Sequence, residues 1–259
     1  MAAGTESAGG GGEVALPLDW PGRIKEALDR DLFVLHGQRI VDVLTGATMR
    51  HELFLRMVGR DRLIPAGEFV MAAEEFGSIR EIDRWVVTRA IDVAATGRPV
   101  HLNLSLRSTD AALLDLIQER LEETGADAGD LVLELGERQL VAAPEGQREF
   151  VRVASNLGCR IAIDGFIEGG KGAFLLKRFP INYVKLGPEF MEGLETEVAR
   201  RRQVSMAAMT AHRHGQRVIA QGVERVTTLQ LLEGLEVDEA QGFALGAPES
   251  LDTLLGTPA

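Results

Sequence analysis

The chain has 259 residues, with 28 Lys and Arg against 39 Asp and Glu, a formal net charge of −11 and a hydrophobic share of 45%. A chain of this length buries roughly 70–75% of its unfolded surface and needs no disulfide or metal to fold, and the single Cys159 excludes an intramolecular disulfide framework. The acidic balance argues against holding DNA or RNA by charge alone; an anionic ligand would need a local reversal of sign, for which a divalent cation is the obvious agent.

In chain order, residues 1–16 read as a flexible tail with a glycine run at 9–12, without the basic and apolar regions of a signal peptide. No stretch approaches the roughly 18 apolar residues of a membrane span, so a soluble cytoplasmic protein is expected, with one domain over 17–255. Strands are expected over 32–41 and 52–57, and the short connection between them allows only an antiparallel hairpin. A long helical stretch over 66–95 follows, then a strand over 100–105 and a helix over 110–124. Strands over 131–135, 160–164, 183–186, 217–220 and 240–245 alternate with helices over 145–157, 195–214 and 227–235. Eight candidate strands alternating with helices are what a (β/α)8 barrel needs, and an open doubly wound sheet is the alternative.

Polar residues recur near the ends of these strands: Glu52 and Arg56, Asn103, Glu134, Asp164, Lys185, Gln221 and Gln241. In a parallel barrel the C-terminal strand ends share one face, where active sites are built. Three carboxylates and an Asn gathered there would repel one another without a cation, and oxygen ligands suit Mg²⁺, Mn²⁺ or Ca²⁺ better than zinc. Lys185 would offer a positive group to a phosphoryl oxygen or a nucleophilic water. The alternative is a set of unrelated polar residues, each facing solvent.

These motifs resemble the EAL family, whose members hydrolyse cyclic di-GMP to the linear dinucleotide. Glu52-Leu53-Phe54-Leu55-Arg56 is similar to Glu-Ala-Leu-Leu-Arg, and Gln38-Arg39-Ile40 to Gln-Pro-Ile. The segment LIPAGEFVMAAEEFGSIREIDRWVV, carrying Pro65, Phe69, Glu74, Gly77, Asp83 and Trp85, is similar to the family's long helical region. HLNLSLRS, LVLELGE, NYVKLG, VIAQGVE and EAQGFALGAP resemble further motifs, in the family's order, across roughly residues 20–250. The resemblance implies a modified TIM (β/α)8 barrel with one antiparallel strand, which agrees with the strand pattern. It also implies metal ligation by Glu52, Asn103, Glu134 and Asp164, orientation of the attacking water by Lys185, and support of the site by Gln241. Gln38, Arg56 and Asp83 would contact the dinucleotide, and Leu53 and Phe54 would either touch the ligand or pack in the core. In-line attack on a phosphodiester by such a site uses two divalent cations about 3.5–4 Å apart.

Two positions depart from the pattern. Gly165 stands where the family has the second of two adjacent aspartates, and Gln221 where it has a ligating Glu. Each lost carboxylate removes a unit charge beside the metal, so Mg²⁺ or Mn²⁺ binding should be weak or absent. The loop IEGGKGAFL and Gly187, in the place of the Asp of Lys-Ile-Asp, also differ from the family, and the altered loop bears on the homodimer that the resemblance implies. The expectation is a degenerate phosphodiesterase domain that acts as a cyclic di-GMP receptor or regulatory module, alone or with a protein partner in signalling. An active metal-dependent phosphodiesterase, with Glu168 or Glu224 replacing the lost ligands, and a protein-interaction module without the dinucleotide are the alternatives. Other motifs carry less. Gly165 to Lys171 has the spacing of a P-loop, but Gly172 stands where Ser or Thr should bind Mg²⁺. His212 and His214 diverge on a helix, Arg200-Arg201-Arg202 reads as a solvated face, and Ser105 and Ser155 lack evident triad partners.

Overall fold

The expected hairpin forms between β1 (Phe33–Asp42) and β2 (Thr48–Val58), which pair antiparallel along almost their whole length. The computed structural model describes residues 19–143, 145–166 and 171–256. Beyond the hairpin lie β3 (Leu63–Pro65), β4 (Val100–Asn103), β5 (Leu131–Gly136), β6 (Arg160–Asp164), β7 (Tyr183–Leu186), β8 (Arg217–Ala220), β9 (Glu239–Ala240) and β10 (Glu249–Ser250). The order β1-β9-β8-β7-β6-β5-β4-β2 closes on itself through the β1–β2 pairing, so the sheet is a barrel and the open alternative is excluded. From β2 through β4 and on to β9 the pairings are parallel, while β1 is antiparallel to both neighbours. Short β3 and β10 extend the sheet outside the ring, on β2 and β1; neither carries a period-2 pattern long enough to be read from sequence.

The helices are α1 (Trp20–Asp29), α2 (Val70–Phe76), α3 (Ile79–Ala94), α4 (Ala111–Thr124), α5 (Glu137–Ala142), α6 (Glu145–Asn156), α7 (Lys171–Arg178), α8 (Val198–His212), α9 (Val226–Glu233) and α10 (Leu251–Leu255). The single helix expected over 66–95 is interrupted. Gly77 adopts φ +85°, a left-handed conformation that ends α2, and α3 restarts after Ser78. The strand expected over 240–245 is likewise cut to Glu239–Ala240. After it, Gln241 C=O accepts from Val223 N–H at 3.0 Å, and Gly242 lies so close to Val223 that a Cβ would sit 2.2 Å from its carbonyl oxygen. The chain there packs against the 221–223 loop instead of extending the sheet.

Side chains on a strand alternate between faces, so each barrel strand sends every second residue inward. The outward set packs under the helices as the main core, including Leu102, Leu133, Ile163, Val184 and Val218. The inward set forms a separate apolar cluster of Ile40, Val132, Ala162, Tyr183 and Ile219. That cluster is the middle layer of the filled barrel.

Candidate functional site at the barrel mouth

Two residues beyond each member of this layer, toward the parallel strands' C-terminal ends, stand the residues the motifs single out. Val132 leads to Glu134, Ala162 to Asp164, Tyr183 to Lys185 and Ile219 to Gln221. On antiparallel β1 the step runs backward, from Ile40 to Gln38. Glu52 corrects the expectation that it ends its strand: it lies inside β2, paired with Gln38 on one side and His101 on the other. The parallel register β4–β5 sets Asn103 beside Glu134, and β5–β6 sets Gly136 beside Asp164.

Lys185 is the centre of the arrangement. Fully buried, it donates to Glu52 Oε2 at 2.8 Å and to Glu134 Oε1 and Oε2 at 2.7 and 2.6 Å. Asn103 Nδ2 donates to the other oxygen of Glu52 at 2.8 Å. Burial works against the Lys185 charge, but Glu134, Glu52 and Asp164 outweigh it and hold the ammonium above its ordinary value. Burial draws the Glu134 carboxyl upward, against the opposing pull of Lys185. Asp164 is half-buried, and its Oδ1 has no hydrogen-bond partner; neither has the buried Gln241 Oε1. Gln241 Nε2 donates to Gln38 Oε1 at 3.1 Å, and Gln38 Nε2 to the Gly246 carbonyl at 2.8 Å.

Arg56, Asp83 and Asn103 line one cavity of about 280 Å³, together with Leu53, Phe54 and Val86. Leu53 is buried and Phe54 half-buried, with the Arg56 guanidinium 5.6 Å from the Phe54 ring centroid. Burial lowers the Arg56 pKa, and Arg56 Nη1 donates to the Leu55 carbonyl at 2.9 Å. Asp83, on α3, accepts from Ser105 N–H at 3.1 Å, and burial pushes its carboxyl up to about 7.

Sequence reasoning missed two inward residues. His101 is fully buried, with Nδ1 2.7 Å from Glu134 Oε1. Below the apolar layer, Arg50 pairs with buried Glu239, to which Arg217 also donates at 3.0 Å. The signal for both was the alternation itself: His101 stands two residues before Asn103, and Arg50 two before Glu52. Several other motifs resolve into ordinary contacts. Cys159 is buried, and burial pushes its thiol up to about 12, which keeps it inert. His212 Nε2 pairs with Asp238 Oδ2 at 2.8 Å, and Ser105 Oγ donates to Glu74 Oε1 at 2.6 Å. Glu224 is exposed; Glu168 and the Gly-rich part of the P-loop-like segment lie outside the described residues.

Among the described residues, no group of three or more His, Cys, Asp and Glu side chains is arranged to hold a metal ion. Glu52 Oε2 and both oxygens of Glu134 are turned to Lys185, Gln221 is neutral, and Gly165 has no side chain. As placed, these donors do not fit a two-cation centre.

A closed mixed barrel with a charged cluster at the C-terminal mouth of its parallel strands defines a protein of the modified TIM-barrel class. Residues 22–248 match the model of the EAL domain, and the chain belongs to that family. It is 30% identical over 233 residues to the signaling protein YkoW of Bacillus subtilis (strain 168), covering 87% of this chain and 29% of that protein. With the cyclic di-GMP phosphodiesterase PdeF of Escherichia coli (strain K12) it shares 28% over 241 residues, 90% of this chain and 32% of the relative. The chain thus spans about a third of the length of these curated relatives. A solved structure described as the PaMucR phosphodiesterase in a c-di-GMP complex superposes with a TM-score of 0.83 at 27% identity, covering 92% of this chain and all of that one.

Proposed function

We propose that this EAL domain is a degenerate one, a receptor for cyclic di-GMP or a regulatory module with little or no phosphodiesterase activity. The observation that carries the reading is the state of the carboxylates at the barrel mouth. Glu52 and Glu134 are both paired with the one Lys185 ammonium, and positions 165 and 221 supply no acid beside Asp164. Without two cations, the hydroxide for in-line attack is poorly generated.

Ligand recognition needs less. Arg56 would meet a phosphate oxygen with its guanidinium, Asp83 and Gln38 would offer hydrogen-bonding groups, and Phe54 would offer an apolar face. Arg56 and Asp83 already share one cavity with Asn103, which supports a binding role. The ligand is taken from the similar solved structure and from the relative named for its hydrolysis. A cytoplasmic setting accords with the described residues, none of whose helices is long and apolar enough to cross a membrane. A homodimer and a protein partner in signalling remain part of the proposal.

Titration calorimetry with cyclic di-GMP, first in EDTA and then with Mg²⁺ or Mn²⁺, tests it. Binding in EDTA without release of the linear dinucleotide is expected. Turnover that disappears in Glu52→Ala would instead identify an active enzyme, and no heat at millimolar ligand would leave only the protein-interaction role. Gly165→Asp with Gln221→Glu should raise Mn²⁺ affinity; unchanged affinity would overturn the ligand assignment. Space is available for the first change, since a Cβ at Gly165 meets nothing within 4 Å. Its φ of +68° is one that Asp tolerates better than most residues.

A further inference from the structure

We infer that His101 is a positioning residue of this site, one that fastens Glu134 to Lys185 and so withholds the carboxylate from any divalent cation. The inference rests on the degenerate reading above and supplies a cause for it beyond the substitutions at 165 and 221.

Glu134 accepts three hydrogen bonds, two of them on Oε1. Oε1 takes hydrogen bonds from Lys185 Nζ at 2.7 Å and from His101 Nδ1 at 2.7 Å, and Oε2 takes one from Lys185 at 2.6 Å. A carboxylate held by charge-assisted donors on both oxygens gives them up at a cost before it can ligate a metal. The donors are themselves buried. His101 is fully buried and lies in register between Glu52 of β2 and Val132 of β5. Its ring packs 5.4 Å from the Tyr183 ring, which is covered in turn by the Arg50 guanidinium at 4.5 Å. Arg50 is fixed by Glu239.

The free edge of the imidazole also needs an explanation. His101 Nε2 is buried without a hydrogen-bond partner. An orphaned buried nitrogen is a net cost that a small apolar residue on the same inward face would avoid. The contact at Nδ1 is the compensating interaction. It also fixes the tautomer, because a carboxylate only accepts, so the proton sits on Nδ1. Lys185 occupies the space between Glu52 and Glu134 as a resident cation, and His101 keeps Glu134 turned toward it.

The test compares wild type, His101→Val and His101→Asn. Asn can return an N–H near the position of Nδ1, whereas Val cannot. Manganese affinity, read from the electron paramagnetic resonance of free Mn²⁺, should rise about tenfold in the Val variant and stay at the wild-type value in the Asn variant. Equal affinity in Val and wild type, or tight Mn²⁺ binding by wild type, would overturn the inference. The tautomer is measured on wild type itself by long-range ¹⁵N–¹H correlation, so the question does not depend on the variants folding. A proton on Nδ1 is expected, and a proton on Nε2 would refute the hydrogen bond. Calorimetry with cyclic di-GMP in EDTA on the same wild-type sample separates the two proposals. Loss of that binding would sink the receptor reading, while an unchanged Mn²⁺ affinity in His101→Val would sink only the role of His101.

Discussion

Asp83 shows how one buried side chain couples this domain to pH. Burial raises its carboxyl from an ordinary 3.8 to about 7, against lowering by the hydrogen bond from the Ser105 backbone N–H. Between those values the folded chain holds a proton that the unfolded chain has released, so Asp83 favours folding at low pH and loses that contribution as pH rises through 7. Asp83→Asn should remove the dependence, gaining on wild type by on the order of 2–4 kcal/mol between pH 5 and pH 8. Urea unfolding at the two pH values measures it, and parallel curves for both proteins would contradict the assignment. At this scale the sequence was most legible where motifs were strong. Glu52, Asn103, Glu134 and Lys185 were singled out from the chain alone, and the fold joins them by hydrogen bonds. His101 was legible only as an inward-facing residue two positions before Asn103; its contact was not, because only the closed barrel gives it a partner.

The elements themselves follow local rules closely where the caps are strong. Asp110 precedes α4 and accepts from Leu113 N–H at 2.9 Å, and Gly125 closes the helix in a left-handed conformation, so the expected 110–124 matches the observed helix within a residue. Asp110→Ala should cost about 1 kcal/mol, seen as a fall in melting temperature of roughly 2–4 °C. The elements that differed from expectation are those whose length is set by neighbours. Glu239–Ala240 is short because Gln241 and Gly242 are held to the Val223 loop. The 66–95 region is divided because Gly77 turns left-handed at a point the apolar periodicity passes over. Short α1, α5, α7 and α10 lie at or below the length at which a periodic pattern is distinguishable from a loop.

Across the whole molecule, closure of the barrel joins two ends of the domain that are far apart in the chain. Arg50 on β2 and Glu239 on β9 meet across β1, and Arg217 adds a second donor to Glu239. Glu239 is fully buried, so removing its charge leaves Arg50 without compensation inside the barrel. Glu239→Gln should therefore cost about 3–5 kcal/mol, whereas Arg50→Met with Glu239→Met should recover most of the loss. Denaturant midpoints for wild type and the two variants decide it, and a double variant no better than the single one would contradict the account. The same closure places charge of both signs in one column, with Arg50 and Glu239 below the apolar layer and Lys185 with Glu52 and Glu134 above it.

From the sequence alone came the alternation of strands and helices, the single antiparallel strand and the residue types at the strand ends, because each is written in local periodicity, loop length or motif. Tertiary structure decided which charges meet. The net charge of −11 suggested that a cation must reconcile the site's acidity, and the fold provides one from within the chain, the Lys185 ammonium between Glu52 and Glu134. Strand register and barrel closure bring residues 52, 101, 134 and 185 within hydrogen-bonding reach, and burial turns those contacts into strong, fixed interactions. Neither register nor burial can be read one segment at a time, since both are properties of the closed ring.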